Sequence, residues 1–185
     1  MDGGLAMDFL ALDYINTEWF ATHYHFRDVL KDPALLSDFL EKWQLSLPSP
    51  PSPDETEALI RYRAFLSGAL RALMAHERLS AAAAAELEKN LASCPGTRRV
   101  CLRDGRYETR FQPLQKDWSW VMAEVAASFI ELTDMEIARI RVCENPGCRW
   151  IFYDETRSRT KRCCDGTCAN LVKMRRFRQK KKEEA

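Results

Sequence analysis

Cys143 and Cys148 enclose the tetrapeptide Glu-Asn-Pro-Gly, and Cys163, Cys164 and Cys168 follow after a basic spacer. Two short cysteine pairs, each spanning a turn and joined by a segment able to fold back, are what a tetrahedral four-sulfur zinc site needs. The metal binds thiolate, and Lys161 and Arg162 beside the second pair favour ionisation. His23, His25 and His76 all lie far upstream, so an all-cysteine set is the simplest assignment. Cys143, Cys148 and Cys168 supply three ligands. Cys163 and Cys164 compete for the fourth place, since both spacings suit a knuckle. A closed set of four thiolates leaves no position for hydrolytic chemistry, and the metal supplies folding energy to a segment too short to bury a core.

A basic tail adjoins this pattern. Residues 143–185 carry 12 Lys/Arg against 6 Asp/Glu, whereas residues 1–142 carry 16 against 21, a split hidden by the net charge of +1. A cationic module on an acidic body points to nucleic acid. From Cys168 onward the chain is a good helix former. Leu171, Met174 and Phe177 recur at short spacing, which predicts an apolar seam docked on the finger. Lys173, Arg176 and Lys180 share another face, with Arg175, Arg178 and Lys182 beside it. Such a rod can contact phosphates or lie in a major groove. Trp150, Phe152 and Tyr153 are read as a mini-core rather than as base-stacking residues.

The elements that position these groups are mostly helical. Leu5, Phe9, Leu12, Ile15 and Trp19 predict a helix within 5–21. Asp32-Pro33 opens a second, reaching about Trp43, with Leu35, Leu36, Phe39, Leu40 and Trp43 as its apolar stripe. The proline-rich stretch 47–53 is a stiff linker. A third helix is expected from Asp54 to Glu77 through Leu59, Tyr62, Leu66, Leu70 and Leu73, and Ser80 caps a fourth reaching about Ala92. The period then changes to two around Asp104-Gly105, the signature of a β-hairpin near 98–112. A fifth helix spans about 116–133. The fold class is therefore mainly α with a small β-hairpin (α+β). A helical domain, 1–136, precedes a small four-cysteine finger with a basic C-terminal helix, 137–185.

Several classes are disfavoured. No apolar run approaches the 18 residues of a membrane span, and the acidic start does not read as a signal peptide. Seven cysteines make a disulfide framework improbable, and Cys94 and Cys101 are read as packing residues. A cytoplasmic, nucleoid-associated protein is expected. There is no phosphate loop, His-Glu-x-x-His or Gly-x-Ser-x-Gly motif, so an enzyme is not expected. Asp13, Asn16 and Arg61 form a candidate ligand pocket. Arg61 and Arg63 could pair with Asp13 or with an anionic ligand, though a structural polar network is the preferred reading.

Taken together, Cys143, Cys148, Phe152-Tyr153-Asp154, the basic run to Arg162, Cys164, Cys168 and Asn170 resemble the bacterial CGNR zinc finger. Leu12-Asp-Tyr-Ile-Asn-Thr17 and Glu57-Ala-Leu-Ile-Arg-Tyr-Arg63 resemble the ABATE domain that precedes this finger, so the likeness covers almost the whole chain. It implies Zn(2+) as cofactor and a stress-induced transcription regulator acting on double-stranded DNA. The implied contacts are Arg157, Arg159, Lys161, Arg162, Asn170, Lys173, Arg175, Arg176, Arg178 and Lys180. A small-molecule effector and a second copy of the chain are candidate partners. Alternatives are a zinc-stabilised protein- or RNA-interaction module, or a thiol redox sensor built on the spare cysteine. Against the family pattern, Asp165 favours Cys164 as ligand while a four-residue gap favours Cys163; Cys164 is taken, giving Cys143, Cys148, Cys164 and Cys168 as the expected metal ligands. Gly-Asn-Arg is replaced by Ala169-Asn170-Leu171, which removes a cationic contact and the need for a positive φ.

Overall fold

The computed structural model describes residues 9–18, 27–76, 78–103 and 105–183. Helix α1, Leu10–Ile15, runs into a 3-10 turn at Asn16–Glu18. The rest of the predicted first helix, Leu5 and Trp19 included, lies outside the described residues. Asp32 caps α2, Pro33–Lys42, by accepting from the N–H groups of Ala34 and Leu35. Only Leu36 and Leu40 of its stripe are fully buried. Helix α3, Pro53–His76, begins one residue earlier than expected because Ser52 and Glu55 form a reciprocal capping box. Ser80 caps α4, Ala81–Ala92, and Asp117 caps α5, Trp118–Thr133.

These helices share one apolar core. Leu59, Leu66, Leu70 and Leu73 of α3 meet Leu12 and Ile15 of α1, Leu87 of α4, and Val121, Val125 and Phe129 of α5. Some polar groups inside it are paired: the Tyr14 hydroxyl donates to the Leu59 carbonyl at 2.8 Å, and Ser128 Oγ accepts from the Ala11 N–H, whereas the Tyr62 hydroxyl and the Trp118 indole N–H are buried without a partner among the described residues.

Strands β1, Gly96–Arg103, and β2, Arg106–Pro113, form the expected antiparallel hairpin, with Arg103 opposite Arg106 and Gly105 at φ 76° in the turn. Gly96 is required at its base, since a Cβ there would lie 2.6 Å from the Gln112 carbonyl oxygen. Neither strand makes extensive contact with a helix among the described residues, and Tyr107 is 79% exposed. Cys101 sits on this hairpin, half-exposed, and so is no core packing residue. Cys94 is buried in the body.

A second strand pair was not foreseen. After a 3-10 turn at Ile137–Arg139, β3, Ile140–Val142, pairs antiparallel with β4, Ile151–Tyr153. Alternation along β4 divides its side chains between two cores. Ile151 and Tyr153 pack with the body, where Tyr153 meets Phe9 edge-on, while Phe152 joins the cysteines of the finger. The expected aromatic mini-core is thus split, with Tyr153 serving the body. Helix α6, Gly166–Glu183, closes the chain.

Candidate metal centre

The sulfurs of Cys143, Cys148, Cys164 and Cys168 all lie within 4.8 Å of one another, and Cys148 Sγ is 3.6 Å from Cys164 Sγ. Bonds of about 2.3 Å in a tetrahedron place sulfurs about 3.8 Å apart, so the four fit zinc without rearrangement of the backbone. The sulfur cluster itself separates the adjacent cysteines. Asp165 caps α6 by accepting the Cys168 N–H at 2.7 Å. Cys164 lies just before this cap and Cys168 in the first turn of the helix, and both sulfurs reach the cluster. Cys163 is buried beside them in the finger core but outside the four-sulfur cluster.

The electrostatics show why an ion is needed. Burial, together with the neighbouring sulfurs, pushes the Cys148 thiol up to about 12 and raises Cys164 as well. At Cys143 burial also opposes ionisation. Hydrogen bonds from the backbone of Cys164 and Asn145 and from the thiols of Cys164 and Cys168 outweigh it and hold this group below the ordinary thiol value. Several thiolates packed together in a buried cluster require a dication to balance them.

Two side chains outside the ligand set brace the site. Asn145 is buried; its amide donates to Cys168 Sγ at 3.2 Å while its oxygen accepts from Arg175 at 2.8 Å, tying the first knuckle to α6 at two points. Asp154, fully buried, accepts from the N–H and hydroxyl of Thr156 and from the Lys161 N–H, which folds the basic spacer back toward the first pair. Burial opposes its charge, yet these bonds and nearby Arg141 hold its carboxyl below the usual range. The Glu144 N–H donates to the Arg162 carbonyl and closes the two knuckles on each other. Within the first knuckle the left-handed residue is Arg149, at φ 56°, rather than Gly147. Ala169 is helical, in keeping with a family glycine being dispensable there.

The basic residues divide into two sets. Arg159 pairs with Glu136, Arg162 and Arg176 with Glu144, Arg175 with Asn145, and Lys161 lies over the Phe152 ring. Arg157, Lys173, Arg178 and Lys180 are exposed and make no ion pair among the described residues; Asn170 is exposed too. The predicted apolar seam does not dock. Cys168 and Val172 face the finger core, whereas Leu171, Met174 and Phe177 are exposed, Phe177 by 70%. A three-residue step in a helix of 3.6 residues per turn drifts about 60° each time, so Phe177 ends on the side opposite Cys168.

The candidate ligand pocket is not assembled. Asp13 accepts from Lys42 at 2.5 Å and from the Trp43 indole N–H, Arg61 is an exposed partner of Glu57, and Asn16 is buried against the finger. Arg63 pairs with Asp28 through two bonds of 2.7 and 2.8 Å and also donates to Thr17 Oγ1, so it meets neither Asp13 nor an open site. Asn16 and Thr17, in the turn after α1, are hydrogen-bonded within the protein. A separate cleft of about 270 Å³ lies between body and finger, lined by Asp13, Thr17, Phe39, Lys42 and Trp150.

A helical domain that docks a four-cysteine knuckle carrying a long basic helix defines a zinc-finger protein. The CGNR zinc finger family matches residues 139–181. The ABATE family, described as "Putative stress-induced transcription regulator", matches residues 8–135, and the chain belongs to this family. No curated protein matches the chain. Zinc is the metal that both the family finger and the four clustered sulfurs fit. No helix among the described residues is long and apolar enough to cross a membrane.

Proposed function

We propose that the protein regulates transcription by binding double-stranded DNA through its finger and α6. The observation that carries this reading is the way the zinc cluster grips one end of α6 and leaves the rest free. The helix holds 18 residues, about 27 Å, and only Cys168 and Val172 pack inward. Its seven Lys/Arg include Lys173, Arg178 and Lys180, all exposed and without an ion pair among the described residues. Zinc orients the rod, and the rod contacts phosphate; four thiolates leave no position for a substrate, so a catalytic role is not part of the proposal. A cytoplasmic, nucleoid-associated location follows from the same reading.

The cleft between body and finger supports regulation by a small molecule, because Trp150 belongs to the finger and Asp13 and Lys42 to the body. A second reading, docking of a protein partner on α6, draws on the exposed Leu171, Met174 and Phe177. Gel-shift titration of the zinc-loaded protein with mixed-sequence duplex at low salt tests the first reading. Binding that weakens steeply with salt supports it. Absence of binding at low salt overturns it.

A further inference from the structure

The β1–β2 hairpin carries charge that the finger does not explain. It holds five arginines, Arg98, Arg99, Arg103, Arg106 and Arg110, against Asp104 and Glu108. The register places them unevenly. Arg99 lies directly opposite Arg110 on one face of the ribbon, which also carries Arg106, Cys101 and Glu108. The other face carries Val100, Leu102, Tyr107, Thr109 and Phe111 with Arg98. Like charges directly opposite one another on a strand pair are destabilising, and a lone two-stranded hairpin is marginal to begin with. Here such a pair, Arg99 with Arg110, sits on a ribbon that makes no extensive contact with another element among the described residues. Among the described residues only Arg110 finds a carboxylate, Glu108 at 2.8 Å; Arg98, Arg99 and Arg106 make no ion pair. An external polyanion relieves this arrangement. A second copy of the chain packed on the apolar face would leave the arginine face uncompensated.

Resting on the DNA-binding reading, we infer that the arginine face of this hairpin is a second contact on duplex DNA, separate from α6. The dimensions suit it. Eight-residue strands span about 26 Å, and a two-stranded ribbon fits a major groove about 12 Å wide. The arginines would contact phosphates and so add affinity and salt dependence without reading bases.

The test uses the full chain, loaded with zinc, and a 40-base-pair mixed-sequence duplex, titrated by fluorescence anisotropy at several salt concentrations. The triple variant Arg99→Ala, Arg106→Ala, Arg110→Ala is expected to reduce the slope of log affinity against log salt by about 2–3, near 0.9 per lost phosphate contact. The matching Arg→Lys triple variant keeps most of the slope. Zinc content and helical circular dichroism confirm that both variants are folded. A wild type that binds, with an alanine variant of unchanged slope, overturns this inference alone. A wild type that does not bind the duplex overturns the DNA-binding reading as well. A Leu102→Ser, Tyr107→Ser variant that loses binding while the arginine variant retains it makes the hairpin an apolar docking surface instead and also overturns the proposal.

Discussion

The carboxamide of Asn16 makes both hydrogen bonds of a strand partner with the backbone of Ile151: its amide donates to the Ile151 carbonyl at 2.7 Å and its oxygen accepts the Ile151 N–H at 2.9 Å. One buried side chain of the body thereby satisfies the outer edge of β4, the strand whose neighbour Phe152 packs with the zinc ligands. Body and finger are joined by a clasp that is polar yet dry.

Asn16→Ala leaves a buried N–H and C=O unpaired. Each such group costs about 1–3 kcal/mol, so a loss of about 2–4 kcal/mol is expected in chemical denaturation. Limited proteolysis should find cleavage between body and finger accelerated while zinc stays bound. Unchanged stability would show the clasp to be dispensable.

Substitution at the adjacent cysteines separates ligand from neighbour. Cys164→Ser should lose bound zinc, whereas Cys163→Ser should retain one ion per chain, because only Cys164 stands in the four-sulfur cluster. Metal analysis of the purified variants decides the matter. The reverse pattern would move the site by one residue.

Asn145→Ala removes the link between Cys168 Sγ and Arg175. Outer partners of metal ligands are worth about 10–100-fold in affinity, so chelator competition should show zinc held that much more weakly. α6 should lose order at its first turns in hydrogen exchange. Wild-type zinc affinity would reduce Asn145 to a packing residue.

The Asp28–Arg63 pair sets a pH dependence for the body. Burial opposes the Asp28 charge, but the hydrogen bonds and charge of Arg63 outweigh it and hold the carboxyl below its ordinary value. A depressed folded-state pKa contributes stability above the unfolded value of about 3.9, lost as pH falls through the lower folded value. Asp28→Asn should therefore cost about 2–4 kcal/mol at neutral pH, and the gap to wild type should close below about pH 4. Thermal melts of both proteins across pH 3–7 would read it; a gap that widens in acid would contradict the assignment.

Much of this was legible in the residues themselves. Caps at Asp32 and Ser80, the apolar stripe of α3 and the turn at Gly105 are local devices, each written within a few neighbouring positions. The cysteine spacing named the metal and three of its ligands for the same reason. Three-residue strands such as β3 and β4 carry too little pattern to be read, and the exposure of Leu171, Met174 and Phe177 depends on which helix face Cys168 turns inward.

Local chemistry thus belonged to the sequence: a helical body, a hairpin, four sulfurs for one ion and a cationic helix after them. Tertiary packing settled what required distant partners. It gathered Cys164 rather than Cys163 into the four-sulfur cluster and gave Asn16 to Ile151 and Arg63 to Asp28. Those outcomes turn on contacts between residues tens of positions apart, or on which face of an element meets the core, and spacing along the chain does not encode either.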